Sequence, residues 1–189
     1  MSQQELHIDQ LLKHCLEGRR SAQLEIYNRY YKAMYTIALR IVKDSFEAED
    51  VMQESFLNAF SKLNTYRAEV AFGAWLKRIV VNNSIQHYRK LTKVEHIALD
   101  DVLYRVEDTE EIVPEVALTH LKAQDVLQTM RLLKDNYRIA LTLKLIEGYD
   151  NQEICQIMRI SDANCRTLLS RAKESLRKKL NQIAYETER

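Results

Sequence analysis

Glycine and proline are nearly absent from this chain, with three Gly and one Pro among 189 residues. So few backbone breakers, together with apolar residues that return every three or four positions, favour helix over strand nearly everywhere. The fold class is read as all-α. The lone proline, Pro114, falls in "VEHIALDDVLYRVEDTEEIVPE", where the helical period breaks down. The expected architecture is therefore two small helical domains, 1–92 and 115–189, joined by an acidic linker at 93–114.

Charge follows the same division. Residues 1–90 carry 13 Lys/Arg against 10 Asp/Glu, residues 91–118 carry 2 against 8, and residues 119–189 carry 13 against 9. The overall +1 thus hides local balances of +3, −6 and +4. Two mildly basic ends around an acidic middle fit two modules that meet polyanions and a tether that does not, although solvated faces also produce such runs. The longest apolar run is far short of the roughly 18 residues of a membrane span, and "MSQQELHIDQ" lacks a basic start followed by a greasy segment. A cytoplasmic protein with no membrane contact of its own is expected. Cys15, Cys155 and Cys165 are odd in number and form no C-x-x-C, so they read as packed thiols rather than a disulfide framework or zinc site.

The period predicts helices at about 6–17, 21–43, 46–63 and 70–90, then 115–132, 135–147, 151–158 and 162–184. Gly18 ends the first and Ser21 caps the second; Gly148 stops the sixth; Asp150 with Glu153 forms a capping box for the seventh. On the third helix Ala48, Val51, Met52, Ser55, Phe56, Ala59, Phe60 and Leu63 make the inward stripe, leaving an acidic outward face of Glu47, Glu49, Asp50, Gln53, Glu54 and Asn58.

The last two helices are separated by little more than Arg159 and Ile160, with Ser161 capping the second, a spacing that gives a helix-turn-helix. Burial of Cys165, Leu168, Leu169, Ala172, Leu176 and Leu180 turns Arg166, Thr167, Ser170, Arg171, Lys173 and Arg177 outward. Residues 161–180 hold six basic groups against two acidic ones. Such a face suits a DNA major groove, where arginines grip guanine edges and Thr, Ser and Lys hold phosphates. A plain basic surface helix or a coiled-coil partner would share the spacing.

The segment "LKDNYRIALTLKLIEGYDNQEICQIMRISDANCRTLLSRAKESLRKKL" (133–180) resembles region 4 of the extracytoplasmic-function (ECF) RNA polymerase sigma factors. "YNRYYKAMYTIALRIVKDSFEAEDVMQESFLNAFSKL" (27–63) is similar to region 2.1–2.2 of that family, and "AFGAWLKRIVVNNSIQHYRK" (71–90) to its F-R-A-W-L-x-R-I-A-x-N segment. The resemblance covers most of the chain in the family's order. It implies a bacterial transcription initiation factor with no catalytic centre, cofactor or metal, which binds core RNA polymerase at the clamp coiled coil of the largest subunit and at the flap region. It also implies recognition of -10 and -35 promoter elements, and an anti-sigma factor as a further partner.

By the same resemblance, Asp50, Gln53, Glu54 and Asn58 would dock on the polymerase, where a carboxylate-rich face gives register and on-rate. Lys77, Arg78, Arg89 and Lys90 would hold phosphates at the -10 element, with Asn82, Asn83 and Tyr88 on bases or sugars. Tyr66 and Arg67, in the loop "NTYRAEVAF", would capture an unstacked base. Trp75 and the tyrosines 27, 30, 31 and 35 read mostly as packing. Arg166, Ser170 and Arg171 would read the -35 element, with Lys173 and Arg177 on its backbone. The acidic linker would thread toward the polymerase cleft. The sequence departs from the family at Lys134 for Pro, Arg159 for Gly, Cys165 for Val and Gly73 for Arg. A di-metal carboxylate enzyme would require Glu-x-x-His pairs, and none of the five histidines makes one. The nearer alternative is a helix-turn-helix regulator without polymerase docking, against which the 27–90 block speaks.

Overall fold

The computed structural model describes residues 7–91 and 123–187, and the side chains of its last helix as far as Tyr185. The chain divides into two compact units, Met1–Glu95 and His96–Arg189. Every regular element among the described residues is helical. The linker expected at 93–114 and the first part of the helix expected at 115–132 lie outside the described residues.

The first unit contains α1 (Ile8–Leu16), α2 (Arg20–Val42), α3 (Ser45–Ser61), a single 3-10 turn (Leu63–Thr65) and α4 (Phe72–Leu91). Helices α2, α3 and α4 pack pairwise on one another, and α1 lies against α2. Their shared core comprises Ile26, Ile37 and Ile41 from α2, Val51, Met52 and Phe56 from α3, and Leu76, Val80 and Val81 from α4. Each large aliphatic side chain buried here contributes about 1.5–3 kcal/mol relative to exposure. Ala38, Ala48 and Ala59 are wholly buried between them, and their small size lets the helix backbones approach.

The turns follow from a few residues. Lys43 ends α2 in the left-handed region at φ 70°, its N–H donating to the Leu39 carbonyl. Asp44 then caps α3, its carboxylate accepting from Phe46 N at 2.8 Å and Glu47 N at 3.0 Å, a bond pair worth about 1 kcal/mol. The expected Ser21 cap is displaced: Gly18 turns the chain at φ +80°, α2 already begins at Arg20, and Arg19 occupies the cap position without a side-chain bond. Gly73, which stands where the family has arginine, has a packing reason. A Cβ there would meet Tyr30 Cε1 at 3.0 Å, and Tyr30 sits edge-on to Phe72.

The second unit contains α5 (Ala123–Arg131), α6 (Asp135–Leu141) running into a π-helical turn (Thr142–Ile146), α7 (Asn151–Met158) and α8 (Asp162–Thr187). Met130, Leu133, Leu141, Ala172, Leu176 and Leu180 form one buried cluster. Arg138 is buried on α6 and satisfied in part by Asp135 Oδ1, 3.1 Å from its Nη2. A guanidinium removed from water needs such a partner.

The Asp150–Glu153 capping box forms as expected, with both reciprocal bonds present. Gly148 ends the preceding turn at φ +77°. Between α7 and α8 the turn rests on Arg159 at φ 52°, ψ 47°, the left-handed geometry that glycine takes most readily. Ser161 then accepts from Asn164 N at 3.3 Å. With Ile154, Ile157 and Met158 of α7 and Leu168, Leu169 and Ala172 of α8 buried, the pair is a helix-turn-helix with the polar face of α8 outward.

Candidate partner and nucleic-acid interfaces

On α3 the buried stripe is Ala48, Val51, Met52, Ser55, Phe56 and Ala59, which leaves Asp50, Gln53 and Glu54 exposed and Asn58 half-buried. Gln53 Nε2 donates to Glu49 Oε1 at 3.2 Å, so part of the face is held by intrahelical bonds. Two residues that the acidic pattern hides belong to it as well. Phe46 and Leu57 are 80% and 70% exposed. Positions 46, 50, 53 and 57 follow the 4-3-4 spacing of a coiled-coil seam, so an apolar anchor stands at each end of a polar centre. The spacing was readable in the sequence.

Helix α4 presents two faces of different use. Asn83 points at α3, its Nδ2 donating to Ser55 Oγ at 3.0 Å, while Ser55 donates onward to the Val51 carbonyl at 2.6 Å. One turn on, His87 Nε2 pairs with Glu47 across the same seam. Asn83, expected on bases or sugars, is thus committed to helix packing. Arg78, Asn82 and Arg89 share one outward stripe, which Gln86 completes at the 4-4-3 spacing of a helix face. Lys77 and Tyr88 lie on the opposite edge of the helix, and Lys90 is exposed near its end.

Trp75 heads the stripe one turn before Arg78. The core position expected for it is only half realised: it is half-buried, in a ring cluster with Tyr66 at 5.3 Å and Phe72 at 5.7 Å between centroids. Tyr66 closes its own loop by donating from its hydroxyl to the Val70 carbonyl at 2.7 Å. Burial, and after it the Asp9 carboxylate, raises the Tyr66 phenol above its ordinary value, so it stays a neutral donor. Arg67 and the left-handed Ala68 (φ 56°) form the exposed tip.

On α8, Arg166, Ser170, Lys173 and Arg177 recur at the spacing of one face and line an open groove. The groove is completed by Lys144 and Asn151, which sequence reasoning passed over. Lys144 sits in the π-helical turn, where the register departs from the α-helical wheel used to assign faces. Four cations with Glu174 as the one lining carboxylate make the groove strongly attractive to a polyanion. Arg166 pairs with Asp162 on its own helix; both are more than half exposed, and an exposed i,i+4 pair contributes only about 0.3–0.5 kcal/mol, so it yields readily to a stronger anion. The Thr167 hydroxyl donates to the Ala163 carbonyl at 3.0 Å, and Arg171 is half-buried. Among the described residues no group of three His, Cys, Asp or Glu could hold a metal ion, and no helix is long and apolar enough to cross a membrane.

Residues 26–94 match Sigma-70 region 2 and residues 123–176 match Sigma-70, region 4. Over 160 residues the chain is 32% identical to the ECF RNA polymerase sigma factor SigM of Bacillus subtilis (strain 168), covering 84% of this chain and 94% of that one. The chain belongs to the ECF RNA polymerase sigma factors. A second relative of this sigma factor, SigW of the same bacterium, is 27% identical over 186 residues, spanning 95% of this chain and all of the other. Among solved structures, the sigma factor RpoE in complex with the anti-sigma factor NepR from Bartonella quintana matches with a TM-score of 0.53 at 20% identity over 82% of this chain and 94% of that one. CnrH in complex with the cytosolic domain of CnrY matches with the same score and identity over 91% and 96%. These two likenesses are of fold.

Proposed function

We propose the following division of labour within this sigma factor, which directs RNA polymerase to promoters. Region 2, over 1–92, docks on the core enzyme through the outward face of α3, with Asp50, Gln53 and Glu54 at its centre, Asn58 beside them, and Phe46 and Leu57 at its ends. The partner is the clamp coiled coil of the largest subunit. A 4-3-4 seam with apolar ends supports this reading, because it is the pattern by which one helix packs along another.

Beside it, the stripe Arg78, Asn82, Gln86 and Arg89 takes the -10 element, with Lys77, Tyr88 and Lys90 on flanking phosphates. The tip Arg67 meets an unstacked base, and Tyr66 holds the loop that presents it. Region 4, over 115–189, reads the -35 element with Arg166, Ser170 and Arg171, while Lys144, Lys173 and Arg177 hold its backbone and Thr167 lines the same helix. The acidic tether is placed at 93–114. The chain performs no chemistry, works in the cytoplasm, touches the polymerase flap through region 4, and is held in reserve by an anti-sigma factor. A similar fold found in complex with an anti-sigma factor supports that last expectation.

The observation that carries the reading is the tandem order: a polymerase-type acidic helix in a unit matching region 2, followed by a basic helix-turn-helix in a unit matching region 4. A helix-turn-helix regulator without core docking has no use for the first. The test is run-off transcription with purified, sigma-free core polymerase on a genomic promoter library. Specific starts should appear, depending on both -35 and -10 sequences. Transcripts insensitive to the -35 sequence would overturn the role given to α8, and silence on every promoter would overturn the whole assignment.

A further inference from the structure

The helix-turn-helix carries one cysteine on each of its helices, Cys155 on α7 and Cys165 on α8. Cys165 is wholly buried on α8, and its thiol lies 3.7 Å from the Asn151 carbonyl oxygen of α7. Asn151 and Cys155 are one turn apart on α7, so Cys165 sits on the ridge they form. Cys155 is half-buried and meets solvent, whereas Cys165 does not. The third cysteine, Cys15, is buried in the other unit.

We infer that Cys155 and Cys165 form a peroxide-responsive dithiol that closes into a disulfide across the helix-turn-helix and switches off reading of the -35 element. The switching half rests on the assignment of α8 as the reading helix. The chemistry is a two-electron oxidation by a hydroperoxide. The accessible Cys155 sulfur attacks one peroxide oxygen and releases water, giving Cys155 sulfenic acid. The Cys165 sulfur then displaces that hydroxyl as a second water, its own proton leaving with it, so two thiols and one hydrogen peroxide become one disulfide and two waters.

The roles are unequal for a physical reason. Burial, and after it the influence of Cys155, pushes the Cys165 thiol up to about 11, so it stays protonated and out of reach of peroxide until Cys155 is oxidised. A covalent bond between the sulfurs is shorter than any non-bonded separation, so closing it pulls the first turns of α8 toward α7. Arg166 is the next residue along the chain, and its groove partner Asn151 is on the helix being approached. Disulfides inside reducing compartments are characteristically transient and sensing, which suits a reversible switch.

The test uses the full-length reduced protein, hydrogen peroxide and dithiothreitol. Expected are loss of two of the three free thiols, a mass lower by two hydrogens, and a linked peptide joining Cys155 to Cys165, all reversed by dithiothreitol. Transcription from a -35-dependent promoter with core polymerase should fall about tenfold on oxidation, the worth of one bidentate base contact, and recover on reduction. Cys155→Ser should stay active and indifferent to peroxide, and Cys165→Ala should accumulate sulfenic acid on Cys155. Three thiols surviving, or sulfinic acid on Cys155 without a cross-link, would overturn the dithiol; a cross-link with unchanged transcription would overturn the switch. If the reduced protein ignores the -35 sequence, the assignment of α8 fails instead, the switch falls with it, and the thiol count still decides the cross-link.

Discussion

The apolar ends of the α3 seam can be tested against its polar centre. Leu57 is 70% exposed in the free protein. Fully burying a leucine contributes about 1.5–3 kcal/mol, so covering this one on docking contributes about 1–2 kcal/mol. Replacing it by glutamine keeps a good helix former of similar length, which leaves the fold of region 2 undisturbed. Leu57→Gln should therefore weaken binding to core polymerase by about 5- to 27-fold, since each 1.4 kcal/mol is a factor of ten. Phe46→Gln, at 80% exposure, should do at least as much. Leu16→Gln is the control, because Leu16 is a 60% exposed leucine on α1 rather than on the seam. Equilibrium titration of fluorescently labelled protein with core enzyme gives the affinities, and thermal unfolding checks the folds. If Leu57→Gln and Phe46→Gln both bind within twofold of the parent while Asp50→Ala/Gln53→Ala loses affinity, the docking is polar and the seam argument is wrong. If none of the three changes affinity, α3 is not the docking face.

Other outcomes follow from single residues. Arg159→Gly removes a side chain from the left-handed region and should stabilise region 4 by about 0.5–1 kcal/mol, read as a higher urea midpoint at unchanged slope. Lys144→Ala should weaken binding to -35 duplexes alike whatever their sequence and lower the slope of log affinity against log salt by about one, as loss of a phosphate contact does. Asn83→Ala should cost region 2 about 1 kcal/mol of stability by removing the bond that the Ser55 hydroxyl accepts, and should alter promoter choice less than Asn82→Ala, which a melt beside run-off assays on -10 variants would check.

Much of the fold was legible because helix ends are written in local chemistry. Asp150 with Glu153, Ser161 and Gly148 act within a few residues of themselves, so their roles survive folding unchanged. Ser21 misled for a related reason: it has cap chemistry, but Gly18 had already turned the chain and Arg20 had entered the helix. What periodicity could not supply is the identity of the neighbour across a gap. Asn82 and Asn83 are adjacent and chemically identical, and only the presence of Ser55 on α3 decides that Asn83 faces inward. Trp75 reads as core from its apolar neighbours, yet it lies on the stripe of Arg78 and Asn82 and stays half-open. Lys144 joins the groove from a π-helical turn, whose register differs from that of an α-helix. Cys165, ten residues beyond Cys155 and without any metal-ligand spacing, reaches the turn of α7 between Asn151 and Cys155 because Arg159 accepts a left-handed backbone and folds α8 back over α7. That same turn orients the basic face of α8. Two of the four departures from the family pattern, Arg159 and Cys165, therefore sit on one helix-turn-helix, and a change at either acts on the geometry of the basic face that carries Arg166.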